Sequence, residues 1–284
     1  MKLNNMNDIV DNHFEQYINT LNADEKIKEA MKYTFLNGGK RLRFKLFEAL
    51  VEDLKMPSED YVNIGIAIEM IHTYSLIHDD LPAMDNDDVR RGKPSNHIVF
   101  GEDLAILAGD ALLTHAFDLI VLCDLKAEIK VELIKRFTLF AGVNKGMING
   151  QVLDIQNENN VEITLSELEN IHIQKTAKLI NLCFSSALII AEKLEFEKEF
   201  NVLSTDLGLF YQIQDDYLDA YSSSEILGKN VNSDIENGKK TYVDFFSKAG
   251  LEQLIMKKKN ILLQKTKDYS KVNDVVSIIV NREV

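Results

Sequence analysis

Two groups of aspartates set the chemistry open to this chain. Asp79-Asp80-Leu81-Pro82-Ala83-Met84-Asp85 ends one long apolar stretch, and Asp215-Asp216-Tyr217-Leu218-Asp219 ends another 136 residues later. Carboxylates this dense repel one another, and in apolar surroundings each is costly unless a positive charge answers it. A hard divalent cation that also holds phosphate is one answer: Mg²⁺ takes one or two carboxylates and completes its octahedron with phosphate oxygens and water. Asp215 and Asp219 are one helical turn apart and share a face, with Asp216 beside them. Asp79 and Asp85 would point about 240° apart on a regular helix. Pro82 breaks the ladder and disfavours helix at Leu81, so a local excursion can bring Asp85 back towards Asp79. A solvated acidic helix end explains either cluster alone. Two of the same form, each following an apolar helix, point to metal and phosphate.

Basic residues answer the acidic ones. Gly38-Gly39-Lys40-Arg41-Leu42-Arg43 puts three cations directly after a glycine pair, a form that offers backbone N–H groups and positive side chains to a phosphate. Arg90 and Arg91 follow the first cluster, where they either neutralise its acid or grip a diphosphate. Lys175, Lys229 and Lys239 lie in the second half, and His72 sits two turns before Asp79 on the same helix face.

The elements that must position these groups read as helices. Ile9, Val10, Phe14, Tyr17, Ile18 and Leu21 follow helical spacing, and Asp24 caps a second helix that ends near Gly38-Gly39. Residues 59–78, 102–124, 127–156, 165–194 and 197–221 are predicted as long helices, with a capping box at Thr164-x-x-Glu167. The stretches 59–78 and 179–191 are apolar nearly all round, which suits the centre of a bundle. Gly146 and Gly150, one turn apart and followed by Gln151 and Asp154, allow close helix approach. No alternating Val/Ile-rich strands appear, so no sheet is expected. No linker divides the chain, and residues 1–284 read as one domain. The long polar segment 222–240 reads as a lid, and residues 252–284 return to amphipathic helix.

With 45% hydrophobic and 27% charged residues the composition is that of a globular protein. Its net charge of −13 speaks against nucleic acid as a partner, and Asp79, Asp80, Asp85, Asp87, Asp88, Asp215, Asp216 and Asp219 carry much of that charge. Cys123 and Cys183 lie in apolar runs and read as buried thiols. The N-terminus lacks a signal-peptide core and no apolar run reaches about 18 residues. A cytoplasmic protein without an integral membrane segment is expected.

GGKRLR, EMIHTYSLIHDDLPAMDNDDVRRGKPSNH, FGEDLAILAGDALL, GMINGQVLD, HIQKTAKLI, YQIQDDYLD and LGKNVNSDIENGKKTY occur in the order found in short-chain trans-isoprenyl diphosphate synthases. From about residue 36 to the C-terminus the chain resembles that family, most of all its bacterial farnesyl diphosphate synthases. Phe44 stands where the family usually has Pro, Ala177 where Gly follows Lys-Thr, Asn232 where Gly is common, and Val243 where Pro follows Thr-Tyr.

The resemblance implies an all-α, single-domain bundle of about ten or more helices around a deep central cavity, assembled as a homodimer. It implies condensation of dimethylallyl or geranyl diphosphate with isopentenyl diphosphate to farnesyl diphosphate; a geranylgeranyl diphosphate synthase of the same family is the alternative. The metal ligands would be Asp79, Asp85 and Asp215, supported by Asp80 and Asp219, with two or three Mg²⁺ ions or with Mn²⁺. Arg90, Lys175, Lys229 and Lys239 would meet the allylic diphosphate, and Lys40, Arg43, His72 and Arg91 the isopentenyl diphosphate. Thr176 and Gln212 would turn oxygen dipoles towards the carbocation. Tyr74 and Ser75, on the helix leading to Asp79, would set product length. A di-iron oxidase built on Glu69-x-x-His72 and Glu169-x-x-His172 leaves both aspartate clusters unexplained. A terpene cyclase would carry a different second motif.

Overall fold

A computed structural model describes residues 2–56, 61–221 and 239–282. They form two compact units, one from Met1–Phe44 with Pro57–Lys130, the other from Lys45–Met56 with Val131–Val284. Both are helical.

The first unit contains α1 (Lys2–Thr20), α2 (Glu25–Leu36), α4 (Val62–Asp79), α5 (Asn96–Phe100) and α6 (Glu102–Leu122). Asp24 caps α2 by accepting from the Lys26 N–H, as expected. On α1, Val10, Phe14 and Ile18 are fully buried, one turn apart, whereas Ile9 is exposed. Phe14 stacks on Phe35 of α2. α4 is buried almost without a break from Ile64 to Ile71, which matches its apolar circumference, and packs along α6. By length and composition α6 is long and apolar enough to cross a membrane. Its three aspartates, Asp103, Asp110 and Asp118, interrupt the apolar sequence. The expectation of no sheet needs one correction. Val89–Arg90 and Lys93–Pro94 form a two-stranded antiparallel hairpin, turned by Arg91 and Gly92, both at positive φ.

The second unit holds the greater part of α3 (Leu42–Asp53), α7 (Ala127–Ala141), α8 (Met147–Gln156), α9 (Leu165–His172), α10 (Lys178–Ile190), α11 (Glu197–Tyr221), α12 (Tyr242–Phe245), α13 (Lys248–Thr266) and α14 (Ser270–Val280). α11 is its hub, packing against α10, α13, α12, α9 and α14. Every residue of α10 from Leu179 to Ile190 is buried. Truncating a fully buried Leu207 on α11 to Ala would cost about 2–5 kcal/mol. The Thr164–Glu167 capping box forms as expected.

Two predicted helices are interrupted. The segment 127–156 splits into α7 and α8 at Gly142–Gly146, where carbonyl oxygens crowd the chain: a Cβ on Gly146 would lie 2.5 Å from the Leu139 oxygen and 2.6 Å from that of Gly142. The segment 165–194 changes winding at Ile173–Ala177, a π-helical turn between α9 and α10. Such turns widen a helix locally and gather at functional sites; this one carries Lys175 and Thr176.

Candidate active site

In the first unit, α4 delivers the first aspartate cluster. The helix ends at Asp79, and the chain folds back so that the Asp85 N–H donates to the Asp79 carbonyl at 2.9 Å, with Asn86 N–H on the Leu81 carbonyl. The excursion expected from Pro82 is therefore present. Asp80 is 1% exposed and is held by Arg90, whose Nε donates to its Oδ1 at 2.8 Å. Arg90 also donates to Asp87. Burial raises the Asp80 pKa, with Arg90 offsetting part of that rise. Of the two roles open to Arg90, neutralising the cluster is the one this structure displays. Tyr74, one turn below, is buried and has its pKa pushed up to about 12 by burial and by the charge of Asp79. Ser75 donates its hydroxyl to the His72 carbonyl.

A basic group gathers around His72 in the same unit. The imidazole is buried, and its pKa falls well below the usual value because of that burial and the charges of Arg43, Arg91, Arg90 and Arg41. It is a neutral ring among cations. The cations have distinct tasks. Arg41 is structural: it binds Asp11 through Nε and Nη2, donates to the Gly38 and Phe35 carbonyls, and lies over the Phe35 ring. Arg91 donates to the Gly38 carbonyl at 2.8 Å and passes so close to Gly39 that a Cβ there would meet its guanidinium at 2.8 Å. Burial, then Arg41, lowers its pKa. Arg43 keeps a buried Nε without a hydrogen-bond partner among the described residues. Donors crowded by like charge, one of them unsatisfied, fit an anion. Phe44 replaces the proline expected from the resemblance, and its N–H, which proline lacks, donates to the buried Glu69 at 3.0 Å. That bond occupies one carboxylate of the di-iron alternative.

In the second unit, α11 presents the second cluster. Asp215 accepts from Arg282 near the C-terminus at 2.9 Å. Asp216 accepts from the Tyr242 N–H at 2.8 Å and so anchors the start of α12. Asp219 is 5% exposed. One turn earlier, Gln212 accepts from the Thr176 hydroxyl at 2.9 Å, joining the two predicted dipoles across α11 and the π turn. Lys175 and Lys239 both reach Asp154 of α8, at 2.7 and 3.3 Å. Burial alone would raise the Asp154 pKa, but the two lysines outweigh it and lower it.

Asp154 is the carboxylate joining two candidate lysines that residue spacing failed to single out, although it stands in GMINGQVLD, after the glycine pair. Gly150 brings it there: an added Cβ would lie 2.3 Å from the Lys175 backbone nitrogen. The unexpected Ala177 is accommodated by Gly208 of α11, where a Cβ would fall 2.4 Å from that of Ala177. Lys229, Asn232 and the segment 222–238 lie outside the described residues.

Among the described residues, no three His, Cys, Asp or Glu side chains are gathered as a ready metal site. The donors nevertheless fit a hard cation. Each cluster is made of carboxylate oxygens, and each already draws a guanidinium onto one member, Arg90 on Asp80 and Arg282 on Asp215.

Comparison with known proteins agrees with this geometry. The chain is 45% identical to the farnesyl diphosphate synthase of Micrococcus luteus over 259 residues, 91% of this chain and 88% of that one. Its fold is similar to a geranyltransferase from Legionella pneumophila, with TM-score 0.87, 30% identity, and coverage of 99% of this chain and 95% of that one. It is also similar to a Helicobacter pylori geranyltransferase complexed with magnesium and isoprenyl diphosphate, at TM-score 0.83, 31% identity and 98% and 96% coverage. The sequence pattern of the polyprenyl synthetase family matches residues 24–279, and the chain belongs to that family.

Proposed function

We propose that this chain joins dimethylallyl or geranyl diphosphate head to tail to isopentenyl diphosphate, releases diphosphate, and stops at farnesyl diphosphate. The observation that carries the reading is the pairing, at α4, of a carboxylate cluster with a crowded cation group that includes the unsatisfied Arg43 Nε. One recruits metal and the other an anion. The enzyme is a trans-prenyltransferase, as its relatives are.

The difficult step is breaking an allylic C–O bond, which demands stabilised negative charge on the leaving group and a dry site for the cation. Asp79, Asp80 and Asp85, with Asp215 and Asp219, are the proposed ligands for two or three Mg²⁺ ions, with Mn²⁺ as a substitute. A metal held by these carboxylates would supply positive charge to the allylic diphosphate. Lys175 and Lys239, held in place by Asp154, offer N–H donors to the same diphosphate, together with Lys229 and Arg90. Thr176 and Gln212 hold each other, so their oxygens keep a defined direction towards the developing cation. Lys40, Arg43, His72 and Arg91 hold the isopentenyl diphosphate, where His72, neutral by burial, donates or accepts without adding charge. The departing diphosphate takes the final proton, and no side-chain base is required.

Tyr74 is the proposed floor of the product cavity, with Ser75 beside it. A longer product, geranylgeranyl diphosphate, is the alternative that a different floor would produce. We further propose a homodimer, supported by Ile98 and Val99 of α5 and Ile106 and Leu107 of α6, which are all exposed on neighbouring apolar helices. The reading also carries a single synthase domain working in the cytoplasm.

Incubation with Mg²⁺, labelled isopentenyl diphosphate and dimethylallyl diphosphate, followed by product chromatography, is the test. A C15 diphosphate is expected. Absence of any condensation product overturns the activity, and a C20 product overturns the length.

A further inference from the structure

His78 lies between Tyr74 and Asp79 on α4 and takes no part in the mechanism above. Its Nε2 lies 4.0 Å from Oδ1 of Asp110 on α6, and the ring makes three other connections. Nε2 is 3.0 Å from the Ile106 carbonyl of α6; a carbonyl only accepts, so this nitrogen carries the proton and donates. The Nε2 side of the ring also lies against α6 at Gly109. A Cβ on Gly109 would fall 2.1 Å from Nε2 and 2.5 Å from Cδ2, closer than any side chain tolerates. Finally, His78 meets Tyr74 edge to face, with centroids 5.8 Å apart and planes at 78°.

These contacts make one device. α4 and α6 are the most extensively packed pair in the first unit, and at this level the His78 ring occupies the space that a side chain at Gly109 would need. Tyr74 has no polar anchor of its own, because its buried hydroxyl lacks a hydrogen-bond partner among the described residues. Packing alone sets its position, and His78 is its aromatic neighbour. Edge-to-face pairs stabilise an aromatic ring beyond the burial of its area, so His78 helps to hold the Tyr74 ring where it lies. The tie to the Ile106 carbonyl holds α6 in register against the turn of α4 that carries Tyr74.

We infer that His78 is a specificity-determining positioning residue: seated on Gly109 and tied to Ile106, it fixes both Tyr74 and the α4–α6 spacing, and thereby product length. The inference rests on the reading in which the product tail grows past Tyr74.

A cycle of four variants tests it by product chromatography beside the rate of the first condensation: Tyr74→Ala, His78→Ala, Gly109→Ala, and His78→Ala with Gly109→Ala. His78→Ala should raise the proportion of C20 and longer products roughly tenfold, the scale on which an apolar pocket discriminates. The first condensation should stay within about threefold, since no reacting group is touched. Gly109→Ala expels the ring and should do the same. Added to His78→Ala it finds no ring to displace and should change nothing more. His78→Gln, which keeps an N–H near the Nε2 position, should lie nearer to wild type than His78→Ala, and serves if Gly109→Ala fails to fold. Wild-type products from His78→Ala, or additive effects in the cycle, overturn the inference while elongation in Tyr74→Ala leaves the floor intact. Unchanged C15 product from Tyr74→Ala overturns the floor reading and this inference with it.

Discussion

Arg282 places Nη1 2.9 Å from Oδ1 of Asp215, from 67 positions further along the chain. Its carbonyl accepts from Gln214 and its guanidinium lies 5.0 Å from the centre of the Tyr211 ring. Asp53 of α3 accepts from the N–H groups of Lys271 and Val272 at the start of α14, which seats the helix leading to Arg282. A cation from the C-terminal end of the chain thus rests on an aspartate proposed to hold metal.

Removing that internal cation should make Asp215 easier to load. Arg282→Ala is expected to bind Mn²⁺ a few-fold tighter in the absence of diphosphate, because a half-exposed ion pair worth roughly 1 kcal/mol no longer competes. Electron paramagnetic resonance of free Mn²⁺ measures this. Identical binding isotherms would show that Arg282 and the metal do not compete.

Asp79→Ala or Asp215→Ala should lower kcat by at least ~10²–10³, the scale for losing one preorganised transition-state contact. Steady-state kinetics at saturating Mg²⁺ checks it. A variant within threefold of wild type would remove that residue from the metal set.

Lys40→Ala and Arg43→Ala should mainly raise KM for isopentenyl diphosphate, whose diphosphate stays attached throughout the reaction. Initial rates with each substrate varied in turn give the answer. A rise confined to the allylic substrate would mean that the two diphosphate sites are exchanged.

His172 is half-buried, stacks on Tyr242, and has its pKa lowered to about 4 from 6.5 by desolvation. Its folded pKa lies below its unfolded one, so the unfolded chain binds the extra proton. Its contribution to stability is intact above pH 6.5 and is lost as pH falls towards 4. The shift corresponds to about 3 kcal/mol. His172→Phe, which retains the stack but does not titrate, should lose less stability than wild type between pH 7 and pH 4.5 in urea unfolding. Parallel pH profiles would show that His172 does not drive the acid loss.

Much of the molecule could be read locally. The apolar circumference of α4 and α10, the capping box at Thr164 and Glu167, and the chain reversal after Pro82 depend on neighbours three to six residues apart. Side-chain type and spacing state such relations directly. The two aspartate clusters were visible for the same reason, and their order among the other motifs sufficed to place the chain in its family. Local pattern did not separate cations and acids of the same type by task. Arg41 and Arg43 are two residues apart, yet one is spent on Asp11 and Phe35 while the other keeps an open donor. Asp215 and Asp216 are adjacent, yet one faces Arg282 and the other the Tyr242 backbone. The break at Gly142–Gly146, the π turn under Lys175, the joining of two lysines on Asp154, and the seat of His78 on Gly109 were also decided only in three dimensions. Each depends on which backbone comes within ångströms of another, and that follows from packing between elements distant in sequence.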